Sequence, residues 1–426
     1  MIALFHGAEA YFRSRPAHAP WGESSVRERV AAIVERVRLG GDRALLELTS
    51  ELDGARLTAE EIRVSREEIV RAAGRASDEF RRVLASAAAN IRRYHEKQLD
   101  KGFELRLEDG STLAQRVTPL RSVGVYVPGG AASYPSSVLM NVVPARLAGV
   151  DRIVVATPLG AIERSCELAA AFVLLELDEV YRMGGAQAVA ALAFGTESVR
   201  AVDKIVGPGN AYVAEAKRLV FGQVGIDTMA GPSEIVVLAD ESAEARYVAA
   251  DLLSQAEHGS GDERAVLVTT SIVLAQEVAA EIGRQQESLP RKRAIGEVLR
   301  RNGAAVAVAS LDEALSVVER IAPEHLEIMM RDAAQVAARV RNAGAIFIGE
   351  HSPVPVGDFY AGPNHVLPTG SAARFASALG VYDFVKRTSV VRYSRKRLDD
   401  HRRDIEAFAR AEGFEAHARA IAIRFE

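Results

Sequence analysis

The chain of 426 residues has a single cysteine, Cys166, and a single tryptophan, Trp21. One cysteine excludes an intramolecular disulfide and fits a reducing compartment. No uninterrupted apolar run is long enough to span a bilayer, and the N-terminus lacks a basic segment followed by an apolar core. Neither a transmembrane segment nor a signal peptide is therefore expected, and the location expected is cytoplasmic. A formal net charge of −4 offers no basic surplus for nucleic acid or for an anionic membrane, so neither partner is expected. Two nucleotide fingerprints are missing as well. Gly207-Pro208-Gly209 is followed by Asn210, Ala211 and Tyr212 and so fails G-x-G-x-x-G, and no Walker pattern occurs.

What is present is a globular composition, 48% hydrophobic and 26% charged, in a chain too long for one ordinary core. Residues 1–25, with Pro16, Pro20 and Trp21, read as an arm laid on something else. Helices follow. Val26, Val30, Ile33, Val34 and Val37 keep a 3.6 period as far as Gly40-Gly41, and Ala44, Leu45 and Leu48 resume it. Ser65 with Glu68 reads as a capping box, and Ser77-Asp78 opens a further helix. Phe103, Leu105 and Leu107 alternate ahead of Asp109-Gly110, which predicts a hairpin.

From Val123 short apolar strands alternate with helices. Strands are predicted over 124–127, 152–156, 179–183 and 204–206, then again over 234–238, 265–269, 304–309 and 345–348. This β-α-β-α rhythm is the signature of parallel sheets covered by helices, and it occurs twice in succession. Residues 351–370 form a long Pro- and Gly-rich loop holding Asp358, Asn364 and His365, and loops of that length are more often functional than filler. A charged helix over 397–411 precedes a tail ending in alternating Ile421, Ile423 and Phe425.

The stretch Asp-Leu-Leu-Ser-Gln-Ala-Glu-His-Gly, 251–259, ends a helical run that begins near Ala243. Gln255 and His258 lie three apart, on one helix face, where an amide oxygen beside an imidazole can begin a metal site. A histidine near a helix C-terminus is also a common dipole partner, and the pair alone does not decide. Further polar groups sit beside Gly, Pro or helix-end signals at Glu324-His325, Asp358, Asn364-His365 and Glu412 to His417. Glu324 and His325 can supply two proton-transfer groups of different pKa, or open a helix. Pro128-Gly129-Gly130, Gly184-Gly185-Ala186-Gln187 and Gly207-Pro208-Gly209-Asn210 fall at strand ends, where ligands of doubly wound sheets bind. One such loop is an ordinary tight turn; three tilt the reading towards a nucleotide. Cys166 falls inside the apolar helix predicted over 163–175, which favours a buried structural role over a thioester route.

Taken together these motifs resemble the histidinol dehydrogenase family. The matching stretches are VGVYVPGG (123–130), YPSSVLMN (134–141), GGAQAVAALAFGTESV (184–199), DKIVGPGNAYVAEAKR (203–218), AGPSEIVV (230–237), DLLSQAEHG (251–259), APEHLE (322–327), GPNHVLPT (362–369) and EGFEAH (412–417). The likeness runs from about residue 30 to the C-terminus.

It implies two successive incomplete Rossmann-like parallel-sheet units, a helical N-terminal region and a small C-terminal tail domain. On that basis 26–122 and 235–375 form a first α/β domain with the metal and acid/base residues, 123–234 an NAD-binding second, and 376–426 the tail. It further implies a four-electron oxidation of L-histidinol to L-histidine through the aldehyde, using two NAD in turn and one zinc per subunit. Zinc ligands would be Gln255, His258, Asp358 and His417. Tyr126, Gln187 and Asn210 would contact NAD. Ser233, His365 and Glu412 would join the metal ligands and His325 around substrate. Glu324 and His325 would be the acid/base pair, and the tail of a homodimer would complete the partner's site. One departure is Phe359-Tyr360-Ala361, bulkier than the small residues usual there, which leaves the Asp358–His365 spacing intact. A zinc hydrolase would not need three glycine-rich strand ends, and a non-catalytic nucleotide-binding protein would not need the ligands.

Overall fold

The structure is a computed structural model and describes residues 2–15, 24–129, 134–229, 231–258 and 261–426. Pro16, Pro20 and Trp21 of the expected arm lie outside the described residues, as do Gly130, Ala230 and Gly259 of the motifs above.

Two parallel sheets dominate. The first has the order Val180–Arg182, Arg152–Thr157, Ser122–Tyr126, Lys204–Val206, Gly225–Ile226. In order of sequence that is 3-2-1-4-5. The second repeats it with Gly303–Ala307, Arg264–Thr269, Glu234–Ala239, His325–Met329 and Ala345–Ile348. Ala3–His6 adds a sixth, parallel strand beside Gly303–Ala307. The duplication read from the sequence thus holds strand for strand in topology, and the order is that of the first five strands of a doubly wound Rossmann sheet, with its reversal beside the first strand. Central strands such as Glu234–Ala239 are buried throughout, which is why they read as continuous Val/Ile/Leu runs.

Four strands per unit were predicted, and the structure adds more. Gly225–Ile226 has only two residues, too short to carry a pattern. His325–Met329 alternates His325 and Glu327 with Leu326 and Ile328, so its polar residues mask a buried strand. Ala3–His6 lies in the segment read as an arm and is instead an edge strand.

The predicted hairpin is present as Phe103–Arg106 against Thr112–Pro119, turning at Gly110 with φ 82°. A third strand from far along the chain, Val385–Arg392, completes this antiparallel sheet. The tail then runs as helices Arg395–Ala411 and Glu415–Ala422 and a final turn Ile423–Phe425. Ser394, capping the first of these helices, ties the tail to the hairpin turn through Asp109 Oδ2 (2.8 Å).

The N-terminal helices pack beside the first sheet. Ser24–Asp53 kinks at Gly41 (φ 54°), where the sequence period breaks. Glu197 Oε2 accepts the Asp42 N–H at the kink (2.7 Å) and Asp42 accepts from Ser198 Oγ (2.5 Å). Val30, Val37 and Leu45 of this helix join the core over Gly185–Phe194, and Leu84 and Ile91 of Asp78–His95 join the core over Pro135–Ala148. Residues 26–122 therefore supply helices whose apolar stripes pack on those of the first sheet, and Val366 from 235–375 shares the core of Leu84 and Ile91. Among the described residues no helix is long and apolar enough to cross a membrane.

The capping box is also as predicted. Ser65 Oγ accepts the Glu68 N–H (3.2 Å), and Glu68 Oε2 accepts the Ser65 N–H (3.0 Å). Glu68 Oε1 holds Arg182 Nη2 as well (2.6 Å). Ser65→Ala should cost about 1 kcal/mol, and Glu68→Ala more, because it also releases the arginine beside the third strand. Urea denaturation of the two variants checks the ranking; a costlier Ser65→Ala would contradict it.

Candidate active site

The two sheets present opposite ends to one another. In the first, the loops beyond the strand carboxyl ends line a cleft of about 540 Å³. Tyr126, Gly129, Gly184, Gly185, Gln187 and Asn210 lie on its wall, and His258 and Arg291 reach it from the second unit. Tyr126 Oη accepts the Gly185 N–H (3.1 Å), tying the first strand to the loop after the third. Gly207 has φ 109°, and a Cβ there would stand 2.2 Å from the Tyr126 carbonyl oxygen, so only glycine fits. Both peptide groups of Gly207 are gripped: Asp227 Oδ2 accepts its N–H (2.7 Å) and Lys217 Nζ donates to its carbonyl (3.1 Å). Lys217 and Asp227 are themselves a buried ion pair. Asn210 Oδ1 caps the helix Ala211–Val220 by accepting from Tyr212 and Val213 N–H groups (3.0 and 3.2 Å). Its Nδ2 is then the part left for a ligand. Gln187 is buried, with an Oε1 that has no partner among the described residues.

In the second sheet the reactive groups gather at the amino ends. The helix Ala245–Ala256 runs back from the carboxyl end of Glu234–Ala239, so its C-terminus delivers Gln255 and His258 to the amino ends. Ser233 precedes that strand, and Glu324-His325 opens the neighbour paired with it. A left-handed Ala322 (φ 48°) followed by Pro323 turns the chain from the helix Leu311–Ile321 into this strand.

Glu324 and His325 are both buried. Glu324 Oε2 accepts from Ser233 Oγ (2.5 Å) and from the Glu234 N–H (3.0 Å). His325 Nδ1 lies 3.5 Å from Glu324 Oε2 and 3.3 Å from the Glu234 carbonyl, and Nε2 lies 3.5 Å from Asp358 Oδ1. Burial raises the Glu324 pKa, against the lowering by His325, Ser233 and the Glu234 N–H. For His325 burial pulls down, but Glu324 and Asp358 hold its pKa up at about 9. Asp358 goes the other way: burial raises it, and His325, His365 and His258 together bring it below the ordinary range.

His365 joins the units. Its Nδ1 is 2.9 Å from the Asp358 carbonyl and its Nε2 3.3 Å from Ser137 Oγ on Pro135–Ala148 of the first unit. Next to it, Asn364 Nδ2 donates to the Met140 carbonyl (2.6 Å). Burial lowers the His365 pKa.

Ser233, Glu324, His325, Asp358 and His365 are thus linked directly, and His258 acts electrostatically on Asp358 and His365. Gln255 is buried, and its amide nitrogen has no hydrogen-bond partner among the described residues. An amide, an imidazole and a carboxylate are donors that zinc accepts. Among the described residues no three His, Cys, Asp or Glu side chains are gathered closely enough to hold a metal by themselves. Glu412 and His417 stay apart. Both are exposed on the tail, with His417 beside the Phe414 ring (centroids 5.0 Å), and neither is hydrogen-bonded or ion-paired to the other site residues.

Sequence reasoning missed Glu234, Asp251, Glu327 and Ser137. The first three are carboxyls inside apolar stretches, a signal present in the sequence but shared with many neutral core positions. Glu234 is pushed up to about 7 by burial, and its Oε1 accepts the Gly370 N–H (3.0 Å). Cys166 is half-buried rather than buried and opens the helix Cys166–Leu174, which Ser165 separates from Ala161–Arg164. Its place is against the core of the first unit.

A duplicated doubly wound fold, with a buried carboxylate–imidazole pair set opposite a glycine-lined cleft, is an architecture suited to an α/β enzyme that binds a nucleotide cofactor. Comparison with known proteins narrows this. The histidinol dehydrogenase family model matches residues 18–425. Histidinol dehydrogenase of Geobacillus kaustophilus is 52% identical over 410 residues, covering 95% of each chain, and that of Halalkalibacterium halodurans is 51% identical over the same length and coverage. The crystal structure of histidinol dehydrogenase from Elizabethkingia anophelis superposes with a TM-score of 0.92 at 32% identity, over 100% of this chain and 98% of that one. The chain belongs to the histidinol dehydrogenase family, whose members are oxidoreductases of histidine biosynthesis.

Proposed function

We propose that the chain, acting in the cytoplasm, oxidises L-histidinol to L-histidine by four electrons, through histidinaldehyde, with two NAD per turnover and one zinc per subunit. The observation that carries this reading is the buried Glu324–His325 pair with Asp358 on one side and Ser233 on the other. NAD would lie in the 540 Å³ cleft against Tyr126, Gln187 and Asn210 and would accept hydride from the carbinol carbon at each step. Gln255, His258, Asp358 and His417 would hold zinc, whose part when bound is to orient the amino alcohol and imidazole of the substrate.

The proton work falls to the chain's own groups. His325, once in its neutral form, takes the proton of the alcohol as hydride leaves the carbon, and its pKa of about 9 means that this form grows as pH rises above neutral. Glu324 takes a proton from the water that adds to the aldehyde, and its buried position makes it a stronger base than an exposed glutamate. Ser233 and the Glu234 N–H keep its Oε2 in place through both steps. Ser233, His365 and Glu412, with His325 and the metal ligands, would surround the substrate. In domain terms, 26–122 with 235–375 would form the metal and acid/base domain, 123–234 the NAD-binding domain and 376–426 the tail.

The tail would act in trans within a homodimer. Phe408 and Phe414 are 71% and 51% exposed, and Phe103 and Val391 on the adjoining sheet 63% and 67%. A second copy covering these groups would bury them and could bring His417 and Glu412 to its own site.

Two experiments test the reading. Purified chain given histidinol and NAD should form NADH and histidine in a ratio of about two to one, with chelation abolishing turnover. His258→Ala should lose metal and activity together; full zinc occupancy at normal rates in that variant would remove Gln255 and His258 from the site. The second experiment mixes the inactive variants His258→Ala and His417→Ala after reversible dissociation. With tails exchanged, about half of the dimers are mixed and each has one site free of both lesions, so about a quarter of full activity returns. A mixture that stays inactive despite confirmed subunit exchange would place His417 in its own chain's site.

A further inference from the structure

We propose that the buried carboxyl groups of Asp251 and Glu327 form a positioning pair, sharing one proton, that locks together the three elements carrying the metal and acid/base residues. His325, Glu327 and Met329 point to one face of their strand, the face covered by the helix Ala245–Ala256. Asp251 lies on that helix one turn before Gln255, on the same side. Glu327 Oε1 accepts the N–H of Val354 (2.7 Å), the first residue of the turn that leads into Asp358. A single glutamate therefore reaches the helix bearing Gln255 and His258, the strand bearing His325, and the loop bearing Asp358.

The chemistry of the contact follows from what surrounds it. Glu327 is 1% exposed and Asp251 8%. Glu327 Oε2 is buried and receives no N–H or O–H from any described side chain or peptide group. The side chains that act on Glu327 are Asp251, by hydrogen bond and by charge, and more weakly His325, by charge alone. Two unprotonated carboxylates would repel there, so one must carry a proton and donate it to the other. Burial, then the Asp251 charge, push Glu327 far above the ordinary carboxyl range, which makes it the proton carrier. Neither residue has a part in the proton transfers above. Their effect on the reaction is through placement: loss of the link frees the helix end, the strand start and the Asp358 turn to move separately.

The prediction rests in one of its readouts on the zinc reading. Glu327→Gln keeps both bonds, since its amide donates to Asp251 and its carbonyl accepts from Val354. Glu327→Leu keeps the volume and loses both. In the purified full-length enzyme, E327Q should hold zinc close to wild type in chelator competition. E327L should lose about ten- to a hundredfold in zinc affinity and raise KM for histidinol, with NAD affinity unchanged. The infrared difference spectrum of wild type minus E327Q at neutral pH should show a protonated carboxylic-acid carbonyl band.

An E327L enzyme with unaltered zinc affinity and KM overturns the proposal, as does an E327Q that fails like E327L, or a difference spectrum without the band. If E327L does not fold, the band and the behaviour of E327Q decide alone. If wild type binds no zinc, the metal reading falls, and KM for histidinol together with the band still tests the pair.

Discussion

A glutamate carboxylate buried beside an imidazole is the constraint around which the second unit is built. Taking a carboxylate out of water is costly unless donors replace the water, and Glu324 receives a hydroxyl and a peptide N–H on the same oxygen. Those donors come from Ser233 and Glu234, at the start of the neighbouring strand, so the pairing register of two strands fixes the site. Shifting one strand by a residue would send His325 to the opposite face. The left-handed Ala322 and Pro323 set where that strand begins, and the burial they enforce is the source of the raised Glu324 pKa.

The same strand order is used in two ways. In the first unit the carboxyl ends and following helix N-termini are exposed to the cleft, where backbone N–H groups and glycines favour an anionic ligand. In the second unit the amino ends are used, where helix C-termini arrive and side chains rather than peptide N–H groups must supply the chemistry. His365 and Asn364 clasp the Asp358 loop to the helix Pro135–Ala148, bringing the two sets of ends together. A hydride acceptor on one side and proton acceptors on the other is the division of labour that this apposition allows.

The parts of this that could be read in the sequence are those with local causes. Ser65 and Glu68 declare a capping box within four residues, Gly41 breaks a helical period, and Val125 or Val236 lie in apolar runs that only a buried parallel strand explains. The motifs carrying the family resemblance named the family that the comparisons support. Non-local pairing was not legible. Val385–Arg392 has mixed polarity because one of its neighbours, Thr112–Pro119, lies more than 260 residues earlier, a figure on the order set by the register itself. His325–Met329 hid as a strand because two buried polar side chains, His325 and Glu327, interrupt the apolar run that a strand buried on both faces is expected to show. The N-terminal helices could have covered either sheet; only the fit of Val30, Val37 and Leu45 against Gly185–Phe194 chooses.

The claim that everything else serves is that Glu324 activates the water of the second oxidation, held for that purpose by Ser233 and Glu234. It is tested most directly by giving Glu324→Gln either histidinol or histidinaldehyde and following single turnovers. The account predicts that aldehyde oxidation falls by about a hundredfold or more, while oxidation of the alcohol, whose proton goes to His325, falls less. Unimpaired aldehyde oxidation in this variant would contradict it.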